Sequence, residues 1–262
     1  MTDIDLQYLR GAKFLLEKPR LGAKIANLLG MPIEKGIAML PQKARSAIEG
    51  ATQKSIQVAL NVALKTFNEP NSNEQKPSQN LYHKALVAGT GGVSGFFGVT
   101  ALFVELPLST TIMMRSILDI ARSEGEDLSL SETKLACLEV FAFGGNTKSD
   151  DAVDAGYFAT RAALAKAVSQ AATVMADHSL AKEGAPLISK LIVNIASRFE
   201  MVVSEKVAAQ IVPLIGAAGG ASINVLFMDH FQDMARGHFV VRRLERKYGQ
   251  EEVRRLYQEI KI

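Results

Sequence analysis

The sequence predicts an all-α protein, and three observations carry that expectation. Apolar residues recur at spacings of three and four through most of the chain. Alternating Val/Ile/Thr runs of the strand type are almost absent, and most prolines and glycines punctuate the periodic stretches. With 262 residues, 48% hydrophobic and 22% charged, the chain is too apolar for disorder and long enough to bury a sizeable core. The expected architecture is a single helical domain of roughly eight to ten helices organised around two apolar, glycine-rich segments.

Taken in order, Asp3 to Lys18 reads as an amphipathic helix stopped by Pro19, and Pro32 and Pro41 delimit two short pieces. From Gln42 to Phe67, Ala44, Ile48, Ala51, Val58 and Val62 recur at helical spacing. Residues 68–80 (NEPNSNEQKPSQN) hold no aliphatic side chain and read as a polar linker. That divides the chain into an N-terminal helical segment at 1–67, the linker at 68–80 and a helical core at 81–262. After Arg122, Gly125 is placed as a C-cap. Ser129-x-x-Glu132 then forms a capping box ahead of Leu135, Leu138, Val140 and Phe141. Gly144-Gly145 closes that helix, and an Ala-rich helix follows from about Asp151 to Ala176 with Asp150, Asp151 and Asp154 at its positive end. His178 to Gly184 is a turn, Pro186 sits in the first turn of a helix running towards Gln210, and the last charged helix breaks once at Gly249.

Charge and cysteine content exclude several classes. Thirty basic against 27 acidic residues leave a net +3, too small an excess for a general nucleic-acid binder. The lone Cys137 excludes an intramolecular disulfide framework and a Cys-based zinc cluster, and inert packing is its expected role. Acidic residues open the chain where a signal peptide would carry basic ones, so a cytoplasmic, non-secreted protein is expected.

Two stretches stand out. Leu86 to Val104 and Val207 to Met228 carry no charge, and each approaches the length that spans a hydrocarbon core. Gly91-x-x-x-Gly95, with Gly98 beyond it, and Gly216-x-x-x-Gly220 form small-residue patterns that allow close helix approach. They are expected as helix-packing glycines, either in a buried pair or in lipid contact. Phosphate binding is poorly supported: Gly89-x-Gly91 is followed by Ser94 where a dinucleotide fold needs glycine, and no Walker lysine follows. Ser94 also lacks the spacing of a nucleophile elbow.

Among chemically capable residues, Glu105 ends the first uncharged run and must be paired, hydrogen-bonded or neutral if buried. Arg115 and Arg122 become its partners if the chain turns at Pro107. Asp229 and Asp233, four apart, share a helix face on which two carboxylates would hold a metal. No established metal-ligand spacing appears, and Asp233–Arg236 reads as a surface pair. Arg242 to Lys261 contains seven basic and four acidic residues beside an apolar side made by Leu244, Tyr248, Val253, Leu256, Tyr257 and Ile260. It reads as a docked, solvated helix or as a basic surface for anionic lipid.

In order along the chain, Gly89–Gly98, Phe103-Val104-Glu105-Leu106-Pro107-Leu108, Arg115-Ser116-Ile117 and Ile120-Ala121 resemble the EcsC family. So does the block from Val212-Pro213 through Gly216, Gly220 and Asn224 to Phe227-Met228, Ala235-Arg236, His238-Phe239, Arg243-Leu244-Glu245-Arg246 and Tyr248-Gly249. The likeness covers roughly Leu81 to Tyr257, with Glu105 where the family more often shows Asp. The resemblance implies a helical, cytoplasmic or membrane-associated protein, since the founding member is encoded beside an export-type ABC transporter. Some relatives are labelled peptidases, and no catalytic motif transfers by position. The leading expectation is a non-enzymatic accessory protein, peripheral on the inner face of the membrane, that binds lipid or a membrane protein such as a transporter. It has no cofactor, no nucleic-acid partner and no catalytic residue. Glu105, Arg115, Asn224, Asp229 and Asp233 are its candidate ligand or functional residues. The alternatives are a metal-assisted hydrolase or peptidase using Glu105 or the Asp229/Asp233 face, and a soluble helical scaffold.

Overall fold

The computed structural model describes residues 1–17, 21–30, 32–65, 102–144, 156–176, 184–211 and 216–261. Among them are ten α-helices, one 3-10 turn and no strand. The helices are α1 (Asp3–Glu17), α2 (Leu21–Leu29), α3 (Ile33–Ala38), α4 (Gln42–Lys65) and α5 (Leu102–Ser123), followed by α6 (Ser131–Glu139) and the 3-10 turn Val140–Ala142. Then come α7 (Tyr157–Ala176), α8 (Ala185–Ile211), α9 (Gly216–Tyr248) and α10 (Gln250–Glu259). The protein is all-α, and helices from before and after the 68–80 stretch share one apolar core. The linker itself lies outside the described residues.

Helix α9 is the spine. It carries 33 residues and packs against α1, α2, α5, α8 and α10. Its Phe227 and Phe231 meet Phe199 of α8 and Phe141 of the 3-10 turn, with tilted and edge-on rings whose centroids lie 5.2–6.1 Å apart. Such geometry aligns ring edges with ring faces and adds to the area they bury. Helix α4 packs on α5 and α8 through a narrow face of Ala44, Ala51, Ser55, Ala59 and Ala63. Val58 and Val62, expected on that face, lie half-buried at its margin. The buried hydroxyls of Thr52 and Ser55 donate to the carbonyls of Ile48 and Ala51 one turn back, at 2.9 and 2.7 Å, so burying them leaves no orphan donor.

Backbone chemistry sets the helix ends. Gly125, at φ +77°, closes α5 as expected. The N–H of Glu126 donates to the Ala121 carbonyl and that of Gly125 to the Arg122 carbonyl, the paired bonds of a Schellman cap. The capping box at Ser129 does not form: α6 begins at Ser131 with Leu130 as its cap residue. Ser129 instead donates from its N–H and hydroxyl to Asp127 Oδ1, at 2.9 and 2.7 Å. The nearer Asp acceptor captures the hydroxyl that would have capped the helix. Gly144 turns the chain at φ +80° with the His230 ring directly where a Cβ would stand.

The two ends of the described chain are tied together. Lys13 donates to the carbonyls of Tyr257 and Ile260 at 2.9 and 2.8 Å, capping the C-terminus of α10 where the macrodipole favours a cation. Lys247 and Tyr248 both bind the Asp5 carboxylate, which they hold well below the usual carboxylate range. Gly237 lets α1 cross α9 closely, since a Cβ there would stand 2.6 Å from Leu16 Cγ.

Candidate functional site

Two charges bound the uncharged runs: Glu105 directly follows the first and Lys206 directly precedes the second. The fold brings them together. Glu105, in the first turns of α5, and Lys206, near the end of α8, form an ion pair with Nζ 2.5 Å from Oε1. Lys206 is wholly buried and Glu105 is 7% exposed. The Lys206 ammonium also lies 4.7 Å from the centre of the Phe227 ring, and Asn224 Nδ2 lies 3.5 Å from the same Glu105 oxygen. One carboxylate therefore joins α5, α8 and the N-terminal part of α9. A buried charge is tolerated only with such a partner.

The expected partner, Arg115, is not the one used. Helix α5 runs through Pro107 without turning back, so Arg115 lies ten residues along the same rod and is exposed. Arg122 pairs with Asp119 at 3.0 Å. Asp233 binds Lys24 at 3.5 Å as well as Arg236 at 3.2 Å, and Asp229 is half-buried one turn before it. Among the described residues no group of three or more His, Cys, Asp or Glu side chains is placed to hold a metal ion. Gly91, Gly95 and Gly98 lie outside the described residues. Gly216 and Gly220 are helical in the first turns of α9, and the packing of the two glycine-rich segments on one another falls outside the described residues.

The opposite side of the α5 start is apolar and solvent-facing. Val104 is 73% exposed, Leu108 49% and Phe103 39%. Val104 and Leu108 are one turn apart, so they share a face, while neighbouring Glu105 and Leu106 are buried. The same two turns are thus clamped inside by an ion pair and present an unscreened apolar surface outside.

At the other end of α5, the Schellman cap delivers Glu126 to the C-terminal turns of α9. Arg242 Nε and Nη2 donate to its two oxygens at 2.9 and 3.1 Å, and Arg246 joins them. Burial opposes ionisation of Glu126, yet the Arg242 and Arg246 guanidiniums hold its carboxyl below the ordinary value. Arg243 pairs with Glu124 at 3.0 Å, and Arg255 with Glu252 and Glu259. Much of the basic C-terminal run is therefore already neutralised within the protein, and its apolar side is docked, with Leu244, Val253 and Tyr257 buried. Nearby, the Tyr157 hydroxyl lies 2.8 Å from His238 Nδ1, and burial pushes the titrations of both His230 and His238 down. Burial also pushes the Cys137 thiol up, as inert packing requires.

A family model described as the EcsC protein family matches residues 9–244. The chain belongs to the EcsC family. No curated protein and no solved structure matches it. In this EcsC-family chain the match spans both sides of the 68–80 stretch, in keeping with one core. Among the described residues, no helix is long and apolar enough to cross a membrane. Lys206 is the site residue that sequence reasoning missed. Its signal was present as the last charge before the second uncharged run, symmetric with Glu105 after the first.

Proposed function

We propose that this EcsC-family protein is a non-enzymatic accessory protein that docks peripherally on the cytoplasmic face of a membrane through the exposed start of α5. The observation that carries the reading is the patch of Val104, Leu108 and Phe103 on the two turns that the buried Glu105–Lys206 pair anchors from beneath. The uncharged run 86–104 leads directly into those turns, so the patch continues a stretch of sequence with no charge to repel hydrocarbon. A patch fixed on a rigid, ion-paired helix start meets the bilayer without the entropy cost a mobile loop would bear. Because the C-terminal basic residues are mostly paired internally, apolar insertion outweighs electrostatic attraction in this reading.

Co-sedimentation with vesicles of phosphatidylcholine and phosphatidylglycerol tests it. The parent chain should bind, bind nearly as well at high salt as at low, and be released by carbonate. Val104→Asp with Leu108→Asp removes about 2 kcal/mol of apolar contact and should weaken partitioning roughly thirtyfold with little change in melting. Vesicle binding that survives the double substitution, or a parent chain that binds no vesicle, overturns the proposal.

A further inference from the structure

A cleft of about 610 Å³ opens between α6, α7, the last turns of α9 and α10. Its size suits a small molecule. The inner end is formed by Glu139, which is 6% exposed and has no hydrogen-bond partner among the described residues. Its carboxyl oxygens reach the cleft, so a donor bound there can pair with them. The two guanidiniums beside it do not supply one. Arg161 spends both Nη atoms on Glu245, at 2.7 and 3.0 Å, and Arg242 is forked onto Glu126. One wall is apolar and shallow: Ala162, Ala165, Val168 and Ala172 of α7, with Phe158 at one end.

We propose that this cleft binds a small primary amine, with its ammonium group ion-paired and hydrogen-bonded to Glu139 and its hydrocarbon stem along the α7 wall. An ammonium brings both the donors and the positive charge that Glu139 lacks. An anion would face Glu132, Glu139, Glu245 and Glu251, and of the three arginines lining the cleft, Arg161 and Arg242 are already engaged, which leaves Arg254 alone against four carboxyls. The groups acting on Glu139 are Glu132 on its own helix, Arg161 and Tyr157 from α7, and Arg242 and Glu245 from α9, with Glu251 and Arg254 of α10 at the cleft. Burial outweighs the two arginines and raises the Glu139 carboxyl to about 7, so the site changes charge at neutral pH.

The test is calorimetric titration of the full chain with n-butylammonium chloride, using tetramethylammonium chloride, which has no N–H, as the control. Saturable butylammonium binding is expected, about tenfold tighter at pH 8 than at pH 6 because only the ionised carboxylate takes the cation. Glu139→Gln should abolish both the binding and its pH dependence. Ala165→Phe, at an exposed position on the wall, should block the cleft while leaving Glu139 in place. Vesicle arms separate the sources of the amine. Butylammonium-competed preference for phosphatidylethanolamine over phosphatidylcholine assigns it to a lipid headgroup, and butylammonium binding without that preference assigns it to a soluble amine. No saturable binding at either pH, equal binding of tetramethylammonium, or undiminished binding by Glu139→Gln or Ala165→Phe overturns the proposal.

Discussion

Removing Glu105 should destabilise the protein severely, and removing Lys206 with it should restore most of the loss. At the observed 2.5 Å and an effective dielectric of about 20, the attraction between the two charges is about 7 kcal/mol. Taking both ions out of water costs several kcal/mol each, so the intact pair contributes little net stability over an apolar pair of similar volume. The single variant is different. Glu105→Ala leaves the Lys206 ammonium wholly buried with Phe227 and Asn224 as its nearest compensation, at a cost of about 3–5 kcal/mol. Glu105→Leu combined with Lys206→Met keeps volume and removes both charges, and should lie within about 1–2 kcal/mol of the parent. Arg115→Met supplies the control, because Arg115 is exposed and touches neither residue: it should change stability little and rescue nothing. Urea unfolding followed by far-ultraviolet circular dichroism of five chains reads all of this: the parent, Glu105→Ala, Arg115→Met, Glu105→Leu with Lys206→Met, and Glu105→Ala with Arg115→Met. A Glu105→Ala protein within about 1 kcal/mol of the parent, or a rescue by Arg115→Met equal to that by Lys206→Met, would refute the reasoning.

Gly144→Ala should cost about 2–4 kcal/mol, since it combines a left-handed backbone with overlap of the His230 ring. Gly30→Ala, at φ +66° with nothing within 4 Å of the added Cβ and so strained in backbone alone, should cost about 1 kcal/mol, and equal denaturation midpoints for the two would argue against the packing contribution. Two buried groups should tilt the pH–stability profile in opposite directions. Glu139, raised from 4.5 to about 7, contributes stability present below about pH 4.5 and lost as pH rises through 7, about 3 kcal/mol in all. Glu139→Gln should thus match the parent near pH 4.5, exceed it above pH 7, and a variant with the parent's slope would exclude that titration. His230, lowered from 6.5 to about 4 by burial and by the Lys24 charge, contributes stability present above pH 6.5 and lost as pH falls towards 4, again about 3 kcal/mol. His230→Asn should flatten that acid limb in thermal melts, and an unchanged limb would show that other groups produce it.

Much of the helical framework was legible because it rests on local chemistry. Pro32 and Pro41, Pro186 and the left-handed Gly125 mark boundaries through their own backbone preferences. Misreadings arose where two local options competed: Ser129 had Asp127 two residues back as well as the N–H groups of a helix ahead. Glu105 was legible as a charge either buried or ending a buried element, because it closes a long uncharged run, and the fold decides between the two.

The sequence by itself determined the all-α class, most helix limits and the apolar character of the α5 start, since each depends on periodicity or on residues within one or two turns. Only the tertiary structure decided which charges meet. Lys206 stands 101 positions from Glu105 and Arg242 stands 116 from Glu126, and no local preference distinguishes them from Arg115 or Arg243. The Glu139 cleft is of the same kind. Its charge state and its missing partner follow from how α7, α9 and α10 close around α6, because desolvation depends on everything packed nearby and not on the neighbours in sequence.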